Sequence, residues 1–336
     1  MWTTFLILCC GIPAAVCWMI VVEEYLITGH RLTRARLLQR LRQIFGAGLI
    51  SQPASVAQSV GGAFRLFVWT AALGSVLAEM LYAWPATQGI AIWLVVACGG
   101  LEIVRYLPVA GGCGEFAALL RTMTTWLTIV CALAGLGFLF GSYNLANLAE
   151  FQAQAGSWAA AIQPLGCAVF VLAVGALCLR RPDLPHEIEL IVHLQCIVLS
   201  LLTVGLFGGG WYFWGITTYT TDDTLTAAAV VLRAMVVAVK LAAVLCGLAW
   251  LRTKCAARQT SDVESIAGNV LLAVAGINLM IALTTETWLR PDDFMTRGLL
   301  SWIVAGGMIT YGLMFHRTHV TALWKGMVVD NTETGC

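Results

Sequence analysis

Hydrophobic residues fill nine long stretches of the chain, and shorter polar segments separate them. An α-helix needs about 20 consecutive apolar residues to cross the hydrocarbon core of a membrane, and most of these stretches are of that length. The pattern therefore predicts an all-α polytopic membrane helical bundle with eight or nine transmembrane helices, because the last stretch is short. The stretches are residues 3–27, 63–83, 89–107, 115–140, 157–179, 189–210, 225–251, 266–287 and 299–316.

The composition favours a single membrane domain over residues 1–336. Of these residues 60% are hydrophobic and 11% are charged, which is more apolar side chain than a soluble domain of this size can bury. The net charge of +1 gives no reason to expect nucleic acid as a partner. Most of the twelve cysteines lie in apolar stretches, where we expect them to act as small hydrophobic residues. No C-x-x-C pair occurs, so no metal site is predicted.

Basic residues gather after the first, fifth and seventh stretches and in the tail, whereas the opposite connections hold few cations. By the positive-inside rule, the amino terminus lies outside and the basic loops face the cytoplasm or the mitochondrial matrix. The basic residues that set this orientation are Arg31, Arg34, Arg36, Arg40, Arg42, Arg180, Arg181, Arg252, Lys254, Arg258, Arg317 and Lys325.

Two connecting segments differ from ordinary loops. Residues 31–60 are basic at first and then rich in small apolar residues, which predicts an amphipathic interfacial helix after the first span. Residues 180–189 form an acidic loop, in which two prolines end one helix and Glu187 and Glu189 open the next. A solvated charge pair at a helix end is the simpler interpretation of these glutamates. The domain then divides into 1–30, 31–60, 61–179 with spans two to five, 180–189, 190–316 with spans six to nine, and the tail 317–336.

Ionisable residues inside the apolar stretches are the most informative feature. Placing a charge in mid-membrane costs about 2.5–3.5 kcal/mol on insertion scales, so such residues usually face the protein interior or a watery path. Lys240 lies about two to three turns from either end of its stretch, too deep to assume that it reaches the surface. A lysine packed against a carbonyl or carboxylate is the simpler alternative. The set is Glu23, Glu24, Glu79, Glu102, Arg105, Arg121, Arg233 and Lys240.

Several of these charges also allow ordinary structural roles. Glu79 and Arg105 lie near the ends of their stretches, where water is within reach. Glu102 and Arg105 are spaced to pair with each other on one helix. His193 is expected to form a hydrogen bond within the bundle. Because the sequence has no phosphate loop, Rossmann glycine pattern or nucleophile elbow, its chemistry must involve a partner's redox centre, a diffusible ligand or protons.

Motifs in residues 206–280 follow a distinctive order. A Phe-Gly-Gly-Gly-Trp turn is followed by a lysine that precedes a Trp-x-Arg helix end, then by an arginine, an aspartate and an asparagine. This order resembles the quinone-module membrane subunit of the proton-pumping NADH:quinone oxidoreductase, respiratory complex I, which is called subunit 1 in mitochondria and the H subunit in bacteria. The matching positions are Phe207 to Trp211, Lys240, Trp250, Arg252, Arg258, Asp262 and Asn278.

Shorter motifs upstream also resemble this family. Residues 181–185 are similar to its Asn-Arg-Pro-Pro-Phe-Asp-Leu-Pro loop, and residues 115–121 are similar to the start of its helix four. Glu24 stands where the family has the glutamate of Glu-Arg-Lys, and Gln52 belongs to a Gly-Leu-x-Gln-Pro-like segment. The chain departs from the family at the glutamate expected in helix four, which has no counterpart among residues 125–132.

The resemblance implies a core membrane subunit of proton-translocating NADH:ubiquinone reductase. Such a subunit carries no redox centre of its own and forms the membrane end of the quinone tunnel, linking quinone reduction to proton pumping. Ubiquinone is then the substrate, the iron–sulfur clusters and flavin belong to partner subunits, and the other contacts are phospholipids and further complex I subunits. The implied location is the mitochondrial inner membrane, or alternatively a bacterial plasma membrane.

The resemblance also assigns expected roles to individual residues. The implied proton path comprises Glu187, Glu189, Arg121, Lys240, Arg233 and Asp183. The implied quinone tunnel and its entry comprise Glu24, Arg36, Arg40, Arg42, Gln52, Arg181, Arg252 and Asp262. No catalytic or metal-binding residue is expected.

Three other functions fit parts of the pattern. The membrane subunit of an energy-converting hydrogenase has a similar fold and position without a quinone tunnel. A secondary transporter would favour helices broken by Gly or Pro in paired halves, which the sequence does not show. An accessory membrane scaffold would use the buried charges only to align its helices.

Overall fold

The structure, a computed structural model, describes residues 56–82, 89–104, 113–178, 186–213, 227–256, 260–289 and 298–311. Within these ranges every regular element is helical and no strand occurs. A π-helical turn, Thr285–Leu289, continues the helix Thr260–Thr284. The helices are α1 (Val56–Tyr82), α2 (Ile90–Val104), α3 (Cys113–Phe140), α4 (Leu145–Gln154), α5 (Ala159–Ile162), α6 (Pro164–Cys178), α7 (His186–Leu206), α8 (Ala227–Ala256), α9 (Thr260–Thr284) and α10 (Gly298–Tyr311).

Four helices among the described residues are long and apolar enough to cross a membrane. They contain Phe64–Leu81, Leu119–Phe140, Ala228–Leu251 and Val270–Thr287, and shorter apolar helices lie among them. The described part of the chain is therefore all-helical, as expected, and its four candidate spans are consistent with a helical membrane protein. The total of eight or nine spans stays a prediction, because the first stretch, residues 3–27, lies outside the described residues.

Helix α7 is the centre of the bundle. Every residue from 191 to 207 is buried, and α1, α6 and α8 pack around the helix. A helix that is apolar on all sides is stable when other helices surround it. Of the polar side chains that are described in α7, His193, Gln195, Ser200 and Thr203 are buried within the protein.

Helix α8 lies at the edge of the bundle. Only 17% of its span Ala228–Leu251 is buried, compared with 61% of the span in α3. Val231 and Val239 are exposed, whereas Val237 and Leu245 are buried. One face of α8 thus packs on the protein, chiefly on α7, and its apolar outer face suits a lipid environment.

The fifth apolar stretch is not the single helix that its composition predicts. The helix breaks at Gln163, whose φ of −127° and ψ of 68° are not helical. The cause is Pro164, which has no N–H to donate and disfavours the helical conformation in the residue before it. Pro164 is instead the first residue of α6, a position where proline is well tolerated.

Helix α4 lies in a segment that the sequence assigned to a connection. Asn144 caps the helix: its Oδ1 accepts hydrogen bonds from Ala146 N at 2.8 Å and Asn147 N at 3.4 Å. Leu145 and Leu148 are buried, and the helix packs against α1 and α7. The burial of this helix comes from its packing against other helices. Its apolar content is too low for the sequence alone to indicate that burial.

Several boundaries differ from the expected ones. Helix α1 begins at Val56, so the last residues of the expected interfacial segment 31–60 belong to this helix, ahead of its candidate span Phe64–Leu81. The rest of that segment lies outside the described residues. Helix α7 begins at His186, and α9 begins at Thr260. Four described cysteines are free thiols in apolar helices, as expected, but Cys196 forms a disulfide. The free ones are Cys98, Cys131, Cys167 and Cys246.

Candidate functional site

The turn after α7 is shaped by glycines. Gly209 and Gly210 have φ of 75° and 52°, in the left-handed region that favours glycine. Gly208 N and Gly210 N donate to Val204 O at 3.1 and 2.9 Å, which closes the end of α7. A Cβ atom on Gly209 would lie 2.8 Å from Cδ1 of Trp158. The turn therefore needs glycine for its conformation and for its close contact with the Trp158 ring.

Replacing Gly209 with alanine is expected to destabilise the protein by at least about 1–3 kcal/mol, because alanine is strained at this φ and its Cβ would strike Trp158. The matched control is Gly247→Ala in α8, where a Cβ atom meets nothing within 4 Å. We expect the control to be neutral or slightly stabilising, since alanine favours a helix. Thermal unfolding of the purified protein compares the two, and equal melting temperatures would contradict this account of the turn.

Lys240 binds the carbonyl groups of this turn. Its Nζ donates to Gly208 O at 2.6 Å and Gly210 O at 3.0 Å, and also to Tyr212 O. Three acceptors match the three N–H donors of an ammonium group. A cation is also favourable at the carboxyl end of a helix, where carbonyl oxygens lack partners. The contacts of Lys240 are those of the simpler alternative, a lysine packed against carbonyls, and they place its charge inside the protein.

Aromatic rings complete the surroundings of this lysine. Nζ lies 4.9 Å from the centroid of the Trp158 ring and 5.7 Å from that of Phe213, distances at which a cation is attracted to the face of a ring. The Arg233 guanidinium lies 4.2 Å from the centroid of Trp211. Two residues of the expected proton path, Arg233 and Lys240, therefore contact one segment, residues 207–213, which with Trp158 we call the Lys240 site.

Glu79 joins the beginnings of two helices. It is fully buried, its Oε1 accepts from Ala91 N at 3.0 Å, and its Oε2 accepts from Leu145 N at 3.4 Å. These N–H groups lie in the first turns of α2 and α4, where the helix dipole favours an anion. The expectation that Glu79 reaches water is wrong, because α2 and α4 both begin against it and enclose it.

Glu102 pairs with a residue of another helix. Arg65 of α1 donates from Nε to Glu102 Oε1 at 2.9 Å, and its second nitrogen, Nη2, contacts the same oxygen. Glu102 is buried, and the Arg65 side chain keeps 15% of its surface exposed. Glu102 thus forms an ion pair between helices. Its expected pairing with Arg105 stays a prediction, because Arg105 lies outside the described residues.

Glu102→Leu alone is expected to destabilise the protein by about 3 kcal/mol, because it leaves the Arg65 cation facing an apolar residue. The double change Arg65→Met with Glu102→Leu removes both charges, and we expect it to recover most of that stability. Melting temperatures of the two variants test this. A double variant as unstable as the single one would show that Arg65 and Glu102 act separately.

Among the other expected site residues, Arg121 has a described side chain, and its helix does not pack mainly on the Lys240 site. Arg121 is half-buried in α3, which packs mainly on α9 and α6, whereas α8 packs mainly on α7. Four further positions fall on helices whose side chains there are not described: Glu187 and Glu189 in the first turn of α7, Arg252 in the last turns of α8 and Asp262 at the start of α9. Asp262 thus lies in a helix and not in a loop. The positions outside the described residues are Glu24, Arg36, Arg40, Arg42, Gln52, Arg181 and Asp183.

The sequence offered partial signals for the residues that it missed. Arg65 is a charge in an apolar stretch, and the next stretch carries the acid Glu102, so the pair was visible as two opposite charges in neighbouring helices. Gln152, whose buried side chain bonds to Leu206 O at the end of α7 and to Ala159 N at the start of α5, gave no such signal. It lies in a segment that the sequence assigned to a polar connection. Among the residues that the structure describes, no group of three or more His, Cys, Asp or Glu side chains is placed to hold a metal ion.

Comparison with known proteins gives one distant likeness. No protein-family profile matches the chain. The H subunit (number 2) of the NADH-quinone oxidoreductase of Rhodopseudomonas palustris (strain ATCC BAA-98 / CGA009) is 28% identical in an alignment of 155 residues, and the alignment covers 38% of this chain and 48% of that protein. The chain thus matches about half the length of this curated relative. At the family level, the likeness agrees with the resemblance of the sequence motifs to the membrane subunit of NADH:quinone oxidoreductase.

Proposed function

We propose that this chain is a core membrane subunit of a proton-translocating NADH:ubiquinone oxidoreductase. The observation that carries the proposal is a mid-helix lysine held by the glycine turn after α7, in a chain that is similar to the H subunit of an NADH-quinone oxidoreductase. The chain forms the membrane end of the quinone tunnel and links quinone reduction to proton movement. It is one membrane domain, in the mitochondrial inner membrane or a bacterial plasma membrane, surrounded by phospholipids and other subunits.

The chemistry divides between this chain and its partners. Ubiquinone takes up two electrons and two protons to become ubiquinol, and the electrons come through the flavin and iron–sulfur clusters of partner subunits. This chain supplies an apolar tunnel for the quinone tail and polar groups near its head. The tunnel and its entry are assigned to Glu24, Arg36, Arg40, Arg42, Gln52, Arg181, Arg252 and Asp262.

Helix α7 is the element that connects the proposed acidic loop with Lys240. Its first turn contains Glu187 and Glu189, and the turn whose carbonyls Lys240 binds follows shortly after its last residue, Leu206. The helix has 21 residues and is therefore about 30 Å long. A proton arriving near Asp183 and the two glutamates changes the charge at one end of a helix whose other end carries a fixed cation. Arg121 and Arg233 are the further charges of this path.

The test is isolation of the native complex through an affinity tag on this chain, followed by mass spectrometry and an assay. We expect flavin-containing and iron–sulfur subunits to copurify, and the complex to oxidise NADH with added ubiquinone. Copurification with a nickel–iron large subunit would favour the hydrogenase alternative and sink the quinone proposal. A chain that purifies alone and moves a solute in vesicles would make it a transporter, and a complex without redox subunits would make it a scaffold.

A further inference from the structure

Gln152, near the end of α4, forms hydrogen bonds to both sides of the Lys240 site. The side chain is fully buried. Its Nε2 donates to Leu148 O of the same helix at 3.1 Å. It also donates to two carbonyls of the neighbouring helix α7, Leu206 O at 3.3 Å and Gly205 O at 3.5 Å. Its Oε1 accepts a hydrogen bond from Ala159 N at 2.7 Å. One amide therefore joins the end of α7 to the start of α5.

These two segments supply the two halves of the Lys240 site. Gly205 and Leu206 immediately precede the turn whose carbonyls bind Nζ. Ala159 immediately follows Trp158, whose ring faces the same Nζ at 4.9 Å. A backbone hydrogen bond from Ala160 N to Phe207 O, at 3.0 Å, joins the segments a second time. The carbonyl half and the aromatic half are therefore joined both by the Gln152 amide and by this backbone hydrogen bond.

The amide chemistry of Gln152 is specific to this task. The carbonyl groups of α7 need a donor, and the N–H of Ala159 needs an acceptor; a glutamine side chain offers both. A glutamate has no donor when ionised, and a methionine of similar shape has neither group. A buried N–H or carbonyl that loses its partner is unfavourable, so the segments would move apart to find another.

We propose that Gln152 is a positioning residue for Lys240: it holds the glycine turn and the Trp158 ring at the spacing that the lysine requires, without touching the lysine. The proposal rests on the proposed function only for its effect on proton coupling. The positioning itself follows from the hydrogen bonds and is testable in any native complex that contains this chain.

The first test measures how fast a membrane-permeant amine reagent modifies Lys240 in the purified native complex, by mass spectrometry. Gln152→Met is expected to raise this rate about tenfold, a factor that corresponds to the net contribution of one hydrogen bond. The matched control is Gln154→Met, an exposed residue of the same helix, which is expected to leave the rate unchanged. A wild-type rate in Gln152→Met, or an equal rise in the control, would overturn the proposal.

A second variant covers the case in which Gln152→Met does not accumulate. Gln152→Asn keeps the amide, but its side chain is shorter by one methylene, so we expect faster modification of Lys240 than in the wild type. Where Gln152→Met does accumulate, its rate should be higher still. Modification of Gln152→Asn at the wild-type rate would also overturn the proposal, because the amide would then not need its observed reach.

The third measurement separates this proposal from the proposed function. If the complex pumps protons, Gln152→Met should lower the number of protons moved per electron, and it should cause no further loss when Lys240 is already methionine. An additional loss in that background would mean that Gln152 does not act through Lys240. If the complex neither oxidises NADH nor pumps, the proposed function fails while the modification rates still decide the role of Gln152.

Discussion

Replacing Lys240 with methionine is expected to abolish most of the proton translocation that accompanies quinone reduction. The change removes a half-buried positive charge and leaves the Gly208 and Gly210 carbonyls without their donor, which costs about 3 kcal/mol of stability. We expect the complex to assemble, because the end of α7 keeps its backbone hydrogen bonds to Val204. The measurement is the number of protons moved per NADH oxidised in reconstituted vesicles.

Two controls define what this loss means. Val239→Met places the same side chain on the exposed outer face of α8, and we expect normal coupling there. Lys240→Arg keeps the charge, but a planar guanidinium fits three converging carbonyls less well than an ammonium, so partial coupling is expected. Unchanged coupling in Lys240→Met would show that the lysine serves only to close the end of α7.

Glu79→Leu is expected to lower the stability of the protein by about 3–5 kcal/mol. The leucine leaves two buried N–H groups, of Ala91 and Leu145, without their acceptor, and each such loss costs about 1–3 kcal/mol. Glu79→Gln keeps one acceptor oxygen and loses only the charge, so about 1–2 kcal/mol is expected. Thermal unfolding of the purified complex, or the amount of assembled complex in the membrane, gives the measurement.

The order of stability among these variants decides whether the Glu79 carboxylate supports the two helices. Glu150→Gln removes a charge from a half-buried position in the middle of α4 and should change stability by less than about 0.5 kcal/mol. If Glu79→Leu were as mild as Glu150→Gln, the two helix beginnings would not depend on the carboxylate.

The sequence predicted the positions of the apolar helices because the length of an apolar run is a local property that the membrane selects for. The depth of Lys240 followed in the same way, since it depends only on the distance along one helix. The match to the family's glycine turn also directed attention to the segment that the lysine contacts. These are features that neighbouring residues determine together.

The partners of the buried charges could not be predicted in the same way. Glu79 accepts from an N–H that is 66 residues away, and Glu102 pairs with an arginine 37 residues away. Such choices depend on which helices become neighbours, and the spacing of residues on one helix does not reveal them. The break before Pro164 was open to prediction, because proline rarely continues a helix, but the apolar run concealed it.

Two cations restrict how helix α8 can rotate about its own axis. Arg233 and Lys240 lie two turns apart on one side of α8, and both contact residues 207–213. The opposite side of the helix is apolar and exposed. Turning the helix about its own axis by a quarter revolution would bring both charges toward hydrocarbon, at a cost of several kcal/mol. The contacts of the two cations therefore oppose rotation of α8 about its own axis.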